Sequence, residues 1–148
     1  MQPPDRPRDF SDYAVLLGIL VVTLTAHALS PVTTSTDSAW TFHIASSILR
    51  EHNVDLDEYR PIINLELDYR MRVIGGHIYS YYPVATPLLV APVVWLINAV
   101  YPLSHGSGFH AYLDQHAPNA RTANLEKLIA SGIVALSAAI LYLIARRQ

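Results

Sequence analysis

The sequence predicts an all-α membrane protein: two or three transmembrane helices with a helical, partly irregular external first loop. Charged residues make up only 15% of the 148, against 51% hydrophobic, where a soluble domain carries about 25% charged residues. The hydrophobic residues are also bunched. Residues 13–29 hold one strongly polar member, His27, and residues 128–145 hold nothing harsher than Ser131, Ser137 and Tyr142. As helices at about 1.5 Å per residue, each run covers roughly 26 Å, close to the thickness of a bilayer's hydrocarbon. Two buried helices of a soluble core would pass the same length test, but charge-free runs of this length are rare outside membranes.

The elements follow in order. Residues 1–12, Pro-rich and charged, read as a cytoplasmic tail, with Ser11 or Asp12 placed to cap the next helix. Residues 13–29 are the first transmembrane helix. A cleaved signal peptide is the alternative. The run exceeds the usual 7–15-residue apolar core of such a peptide, and Ala26-His27-Ala28 is a loose cleavage site, so a retained signal anchor is expected. Residues 30–83 form an external loop with an amphipathic helix. Its polar beginning, Ser30 to Ser38, stops the first span, and Thr36 or Asp37 stands as the N-cap of a helix over 38–51. Trp40, Ile44 and Ile48, with Ala45 and Leu49, recur there at helical spacing and suit a helix lying on the membrane surface.

Residues 52–74 carry Asp55, Asp57, Glu58, Arg60, Glu66, Asp68, Arg70 and Arg72 and belong in water. Gly75-Gly76 between β-formers signals a short hairpin. Residues 84–103 are a hydrophobic segment interrupted by Pro87, Pro92 and Pro102, either transmembrane or re-entrant. A polar loop follows over 104–124, then a transmembrane helix over 125–148 ending in Arg146-Arg147. Cytoplasmic flanks collect Lys and Arg, and three crossings would put the two ends on opposite sides. The charge rule therefore favours a middle segment that does not cross.

Several classes fall away. No cysteine is present, so neither a disulfide framework nor a thiolate metal site exists. A net charge of −2 with scattered basic residues gives nucleic acid no footprint. There is no Gly-rich phosphate loop, no Ser-His-Asp ordering and no His-x-x-x-His helix. The seven histidines are dispersed, and His105, His110 and His116 do not share a helical face, so no metal site or other cofactor is expected.

Two features carry candidate chemistry. Asp37, just past the outer end of a span, is either an N-cap or a general base that takes a proton from an acceptor hydroxyl. Tyr79, Tyr81 and Tyr82, between Gly75-Gly76 and Pro83, form either an interfacial aromatic belt or a sugar- and headgroup-contacting patch, with His77 beside them. Separately, Ser131, Ala135 and Ala139 make a small-xxx-small stripe that calls for a helical neighbour in this chain or another.

The order of these motifs has a precedent. A hydrophobic span leads to Thr36-Asp37-Ser38, then to a helix reading Ala45-Ser46-Ser47-Ile48-Leu49-Arg50-Glu51-His52, then to Val54-Asp55-Leu56-Asp57-Glu58-Tyr59. After it come Gly76-His77-Ile78-Tyr79-Ser80-Tyr81-Tyr82-Pro83, Thr86-Pro87-Leu88-Leu89 and Ala91-Pro92. Over residues 13–147 this resembles the N-terminal part of bacterial polytopic glycosyltransferases of the GT-C type, the group with protein O-mannosyltransferases and lipid A aminoarabinose transferases. The resemblance implies a membrane lipid environment in the bacterial cell membrane, with the first loop external. It also implies a polyprenyl-phosphate sugar donor as partner. Asp37 matches the family's catalytic aspartate, and His77, Tyr79 and Tyr82 are the substrate-binding residues it suggests. Val84 and Ala85 replace the second proline and the glycine of the family's Tyr-Ser-x-Tyr-Pro-Pro-Gly-like element, and Tyr81-Tyr82 stand where some members carry a donor-phosphate lysine. Members of that group have around a dozen spans, so this chain is expected to be an N-terminal portion that is inactive alone. The rival expectation is a small non-enzymatic membrane protein assembled through the Ser131 stripe.

Overall fold

A computed structural model describes residues 10–32 and 36–146. Most of the expected tail, residues 33–35 of the polar stop, and Arg147 and Gln148 of the basic end lie outside the described residues. The described chain is mostly helical and divides into two units, one joining 10–32 to 127–146 and the other covering 36–126.

In the first unit, helix α1 (Phe10–Leu29) starts earlier than position 13 and includes Asp12 in its first turn. Asp12 is therefore no cap for a helix starting at 13, and its carboxylate pairs with the Arg146 guanidinium. The last helix, α6 (Ala120–Ala145), runs out of the second unit into the first. At its far end from Arg146, the Lys127 ammonium donates to the Ser30 carbonyl. These two links make α1 and α6 antiparallel, with the start of α1 beside the end of α6. Both are long and apolar enough to cross a membrane. Ser131, Ala135 and Ala139 are buried within the chain itself. The Ser131 hydroxyl bonds back to the Lys127 carbonyl of its own helix at 2.8 Å, as Ser does within helices, and not across to a neighbour.

α6 begins at Ala120, not 125, because Asn119 caps it. Its Oδ1 accepts the N–H groups of Arg121 (3.0 Å) and Thr122 (3.4 Å), two of the donors a helix start leaves unpaired.

The second unit is built around α2 (Thr41–Arg50). Every residue from Thr41 to Ser47 is buried, so α2 is an internal helix; the membrane-surface position expected for it is not found. One face of α3 (Ala85–Val100), made by Pro87, Val90, Ala91 and Val94, is buried, and α2 and α3 pack together. Phe109 of α5 (Phe109–Gln115), a short helix inside the expected polar loop, meets Phe42 edge-on at 5.7 Å between ring centroids.

The prolines do not break the apolar segment. Pro87 sits in the first turn of α3, where a missing N–H costs little, and the helix continues through Pro92. Pro102 opens the short α4 (Pro102–His105), joined to α3 by a helical Tyr101.

The hairpin is found where Gly75-Gly76 placed it. β1 (Met71–Ile74) pairs antiparallel with β2 (His77–Ser80), Ile74 opposite His77. Both glycines have positive φ, 61° and 93°, as a two-residue turn of this twist requires. A 3₁₀ helix (Asp57–Ile62) braces the hairpin: Leu56 N–H donates to the Ile78 carbonyl and Asp57 accepts the Ile78 N–H, at 2.8 and 2.9 Å.

Candidate functional site

Asp37 lies in a 3₁₀ turn (Thr36–Ser38) that precedes α2, and the residue at the N-cap position of α2 is Trp40, with no side-chain cap bond. The capping reading of Asp37 is therefore not met. Its Oδ1 instead accepts two phenol hydroxyls, from Tyr82 at 2.7 Å and from Tyr69 at 3.1 Å.

The fold delivers these groups from three stretches of chain. Trp40, buried one turn after Asp37, donates its indole N–H to Asp68 Oδ2 at 2.8 Å. Asp68 is also gripped by Arg70 through Nε (2.6 Å) and Nη2 (2.8 Å), a fork-like pairing with directional strength. Burial works against the charge on Asp68, but the bonds from Arg70 and Trp40 outweigh it and hold the carboxyl below its ordinary range. Tyr69 sits between these two anchors. On the other strand, Tyr81 N–H donates to the Arg70 carbonyl at 2.9 Å, extending the hairpin pairing by one rung and setting Tyr82 at its stem.

Asp37 and Tyr82 open onto a cleft of about 180 Å³ whose lining includes Ser38, Trp40, Ile44, Ser80, Pro83 and Thr86. Trp40 also lines a second cleft of about 240 Å³ with Asn64, Asp68 and Arg70. Asp37 is exposed and Tyr82 half-buried, so a solute reaches both. The bond to Asp37, and then burial, push the Tyr82 hydroxyl up to about 12, so it remains a protonated donor at neutral pH. Chemically this is a solvent-facing carboxylate oriented by two neutral donors beside an aromatic and proline wall. It can take a proton from an alcohol that enters the cleft.

Of the residues the sequence singled out, the structure joins Asp37 with Tyr82. His77 and Tyr79 stay on the hairpin, outside the lining of that cleft, their rings 6.4 Å apart. His77 Nδ1 faces Asp57 Oδ2 at 2.6 Å. Tyr81 stacks near the Arg72 guanidinium at 5.8 Å. Asp55, Asp57 and His77 are the described residues that could share a cation, with ligand atoms within 4.8 Å of one another. Asp57 already receives the Ile78 N–H, Arg60 and His77; the Ile78 bond leads in holding its carboxyl below the ordinary range. Tyr69, Trp40 and the Asp68–Arg70 pair were not foreseen as part of the site.

No protein-family model matches this chain, and neither the curated proteins nor the solved structures compared with it give a match.

Proposed function

We propose that the chain is the N-terminal portion of an integral membrane glycosyltransferase that moves a sugar from a polyprenyl-phosphate donor to a hydroxyl acceptor. Asp37 is its general base. The observation that carries this reading is the pair of tyrosine hydroxyls on Asp37 Oδ1 at the cleft mouth, at the position the resemblance marks as catalytic. In this mechanism the acceptor oxygen attacks the anomeric carbon while Asp37 takes its proton, and the lipid phosphate leaves with the electrons of the broken C–O bond. One displacement inverts the configuration.

The membrane setting draws support from α1 and α6. Their antiparallel pairing is what two cytoplasmic ends and a non-crossing middle segment require, with 36–119 on the external side of a bacterial cell membrane. The chain should stay with membranes through carbonate extraction, since two such spans bury far more apolar surface than a peripheral helix. Recovery in the supernatant would remove the membrane reading.

The test of the site is Tyr82→Phe in the complete polytopic enzyme, assayed with a labelled polyprenyl-phosphate sugar. A hydrogen bond to a charged group is worth about 1.5–3 kcal/mol, so losing one that orients the base should lower kcat by at least about tenfold. Unchanged kcat would return the tyrosines to an interfacial belt. The buried stripe of Ser131, Ala135 and Ala139 favours a second reading, a non-enzymatic membrane protein held by helix packing, under which no transfer is seen at all.

A further inference from the structure

Three side chains converge at the braced edge of the hairpin, outside the lining of the Asp37 cleft. Asp55, Asp57 and His77 each present a ligand atom, all within 4.8 Å of one another. Asp55 precedes the 3₁₀ helix, Asp57 opens it and His77 opens β2, so the helix and the strand it braces both contribute.

The groups behind these three fix where they point. Asp57 Oδ1 accepts the Ile78 N–H at 2.9 Å and Arg60 Nη2 at 3.2 Å, while Oδ2 faces His77 Nδ1 at 2.6 Å. Arg60 also donates to the Gly76 carbonyl at 2.8 Å, pinning the backbone just before His77. Outer partners that orient a carboxylate and an imidazole in this way are the usual company of a metal ligand set. Asp55 supplies an independent sign. It is only 9% exposed, yet no cationic side chain pairs with it among the described residues, and the donor to its carboxylate is the Asp57 N–H at a long 3.4 Å. A carboxylate withdrawn from water with so little in return carries a cost that a cation would offset. The neighbouring side chains do not supply that charge. Residues 51–60 hold Glu51, Asp55, Asp57 and Glu58 against Arg60, which is on Asp57, and Arg50 is taken by Asp114.

We propose that Asp55, Asp57 and His77 form a binding site for a divalent transition-metal cation of the zinc class, which ties the 3₁₀ helix to the hairpin. The site is independent of the transferase reading and of the two long helices, since every group in it lies within residues 55–78. The donor set decides the ion. An imidazole nitrogen with two carboxylates suits Zn²⁺, whereas Mg²⁺ and Ca²⁺ take oxygen ligands. On binding, the ring proton moves to Nε2 and the Nδ1 lone pair turns to the metal. Bonds of about 2.0–2.2 Å draw the three ligand atoms together by side-chain rotation. His77, with 56% of its side chain exposed, gives the ion a path in and leaves a fourth position for water.

The test is calorimetric titration of the full, untagged chain in detergent with zinc chloride, in excess Mg²⁺. One ion should bind per chain. Loss of an outer partner costs about 10–100-fold in affinity; His77→Gln and Asp55→Asn each remove a ligand itself and should cost more. His105→Gln with His116→Gln should change nothing. With zinc at about 100 times its dissociation constant, exchange of the Leu56 and Ile78 amides should slow about 100-fold, because an opening that breaks the site must also release the ion. X-ray absorption on the unmutated chain reads the ligands without relying on a variant's fold, and should give one imidazole among oxygens. Two or more imidazoles, or binding that survives both single variants, would mean an adventitious ion only and would overturn the proposal. So would displacement by Mg²⁺, or the absence of zinc binding.

Discussion

Under the proposed transferase reading, Asp37→Asn should reduce transfer by about 10²–10⁴-fold in kcat, the range for loss of a general base, with little change in stability. The carboxamide oxygen still accepts from Tyr69 and Tyr82, so the cleft mouth keeps its shape while losing the group that binds the proton. The N-cap position of α2 is Trp40, not Asp37. Turnover with a labelled donor and a thermal unfolding curve, measured on the same preparation, check both halves. Full activity in the Asn variant would leave the carboxylate as a hydrogen-bond acceptor for two tyrosines and nothing more.

Acidification should loosen the second unit from within. His43 is completely buried, its Nε2–H donating to the His116 carbonyl at 2.9 Å while Nδ1 has no partner. Its ring lies against Trp40 (4.7 Å) and edge-on to Tyr59 (4.9 Å). Burial holds the imidazole down to about 4, against partial opposition from the His116 carbonyl and Asp114. Since its folded value lies below the ordinary 6.5, the unfolded state takes up the proton first. Stability is complete above pH 6.5 and is lost as pH falls toward 4, at about 1.4 kcal/mol per unit. Between about pH 7.5 and pH 5 the loss is roughly 2 kcal/mol, or about a 30-fold drop in hydrogen-exchange protection of the α2 amides after correction for the intrinsic rate. His110, bonded to Ser46 at 2.6 Å and also held down by burial, adds in the same direction. Glu58, pushed up by burial, acts oppositely at the acid end, because folding favours its protonated form. His43→Gln should flatten the profile, and a profile as steep as that of the parent chain would show that another group carries the pH dependence.

The reach of the sequence differs from element to element, for physical reasons. α1 and α6 were legible because an unbroken apolar run leaves a helix few alternatives, and the hairpin because only glycine takes two consecutive positive φ values without strain. The position of α2 was misread: a strong apolar stripe says that one face leaves water but not what covers it, and here protein covers α2 while α3 keeps a bare face. The prolines misled because punctuation was assumed where Pro87 merely opened a helix and Pro92 was carried within one. Asn119 was a readable start signal for α6. Tyr69 was not readable at all. It lies 32 residues from Asp37, in a charged stretch with no periodicity, and reaches the site only because Trp40 and Arg70 both seize Asp68.

The two polar links between α1 and α6 also act as a ruler. The rungs are Asp12–Arg146 and Ser30–Lys127, separated by 18 residues along the first segment of the pair (12 to 30) and 19 along the second (127 to 146), or about 27–29 Å at helical rise. Under the proposed reading of α1 and α6 as membrane spans, tilting either helix alone would break a rung, so the pair would answer a change in bilayer thickness together. In a hydrocarbon layer a few ångströms thicker than this spacing, the cheaper adjustment is for the lipid to thin locally around the pair. Such a hairpin would partition toward thinner membrane, and its preference would be set by where four polar groups stand along two helices and not by how hydrophobic the residues between them are.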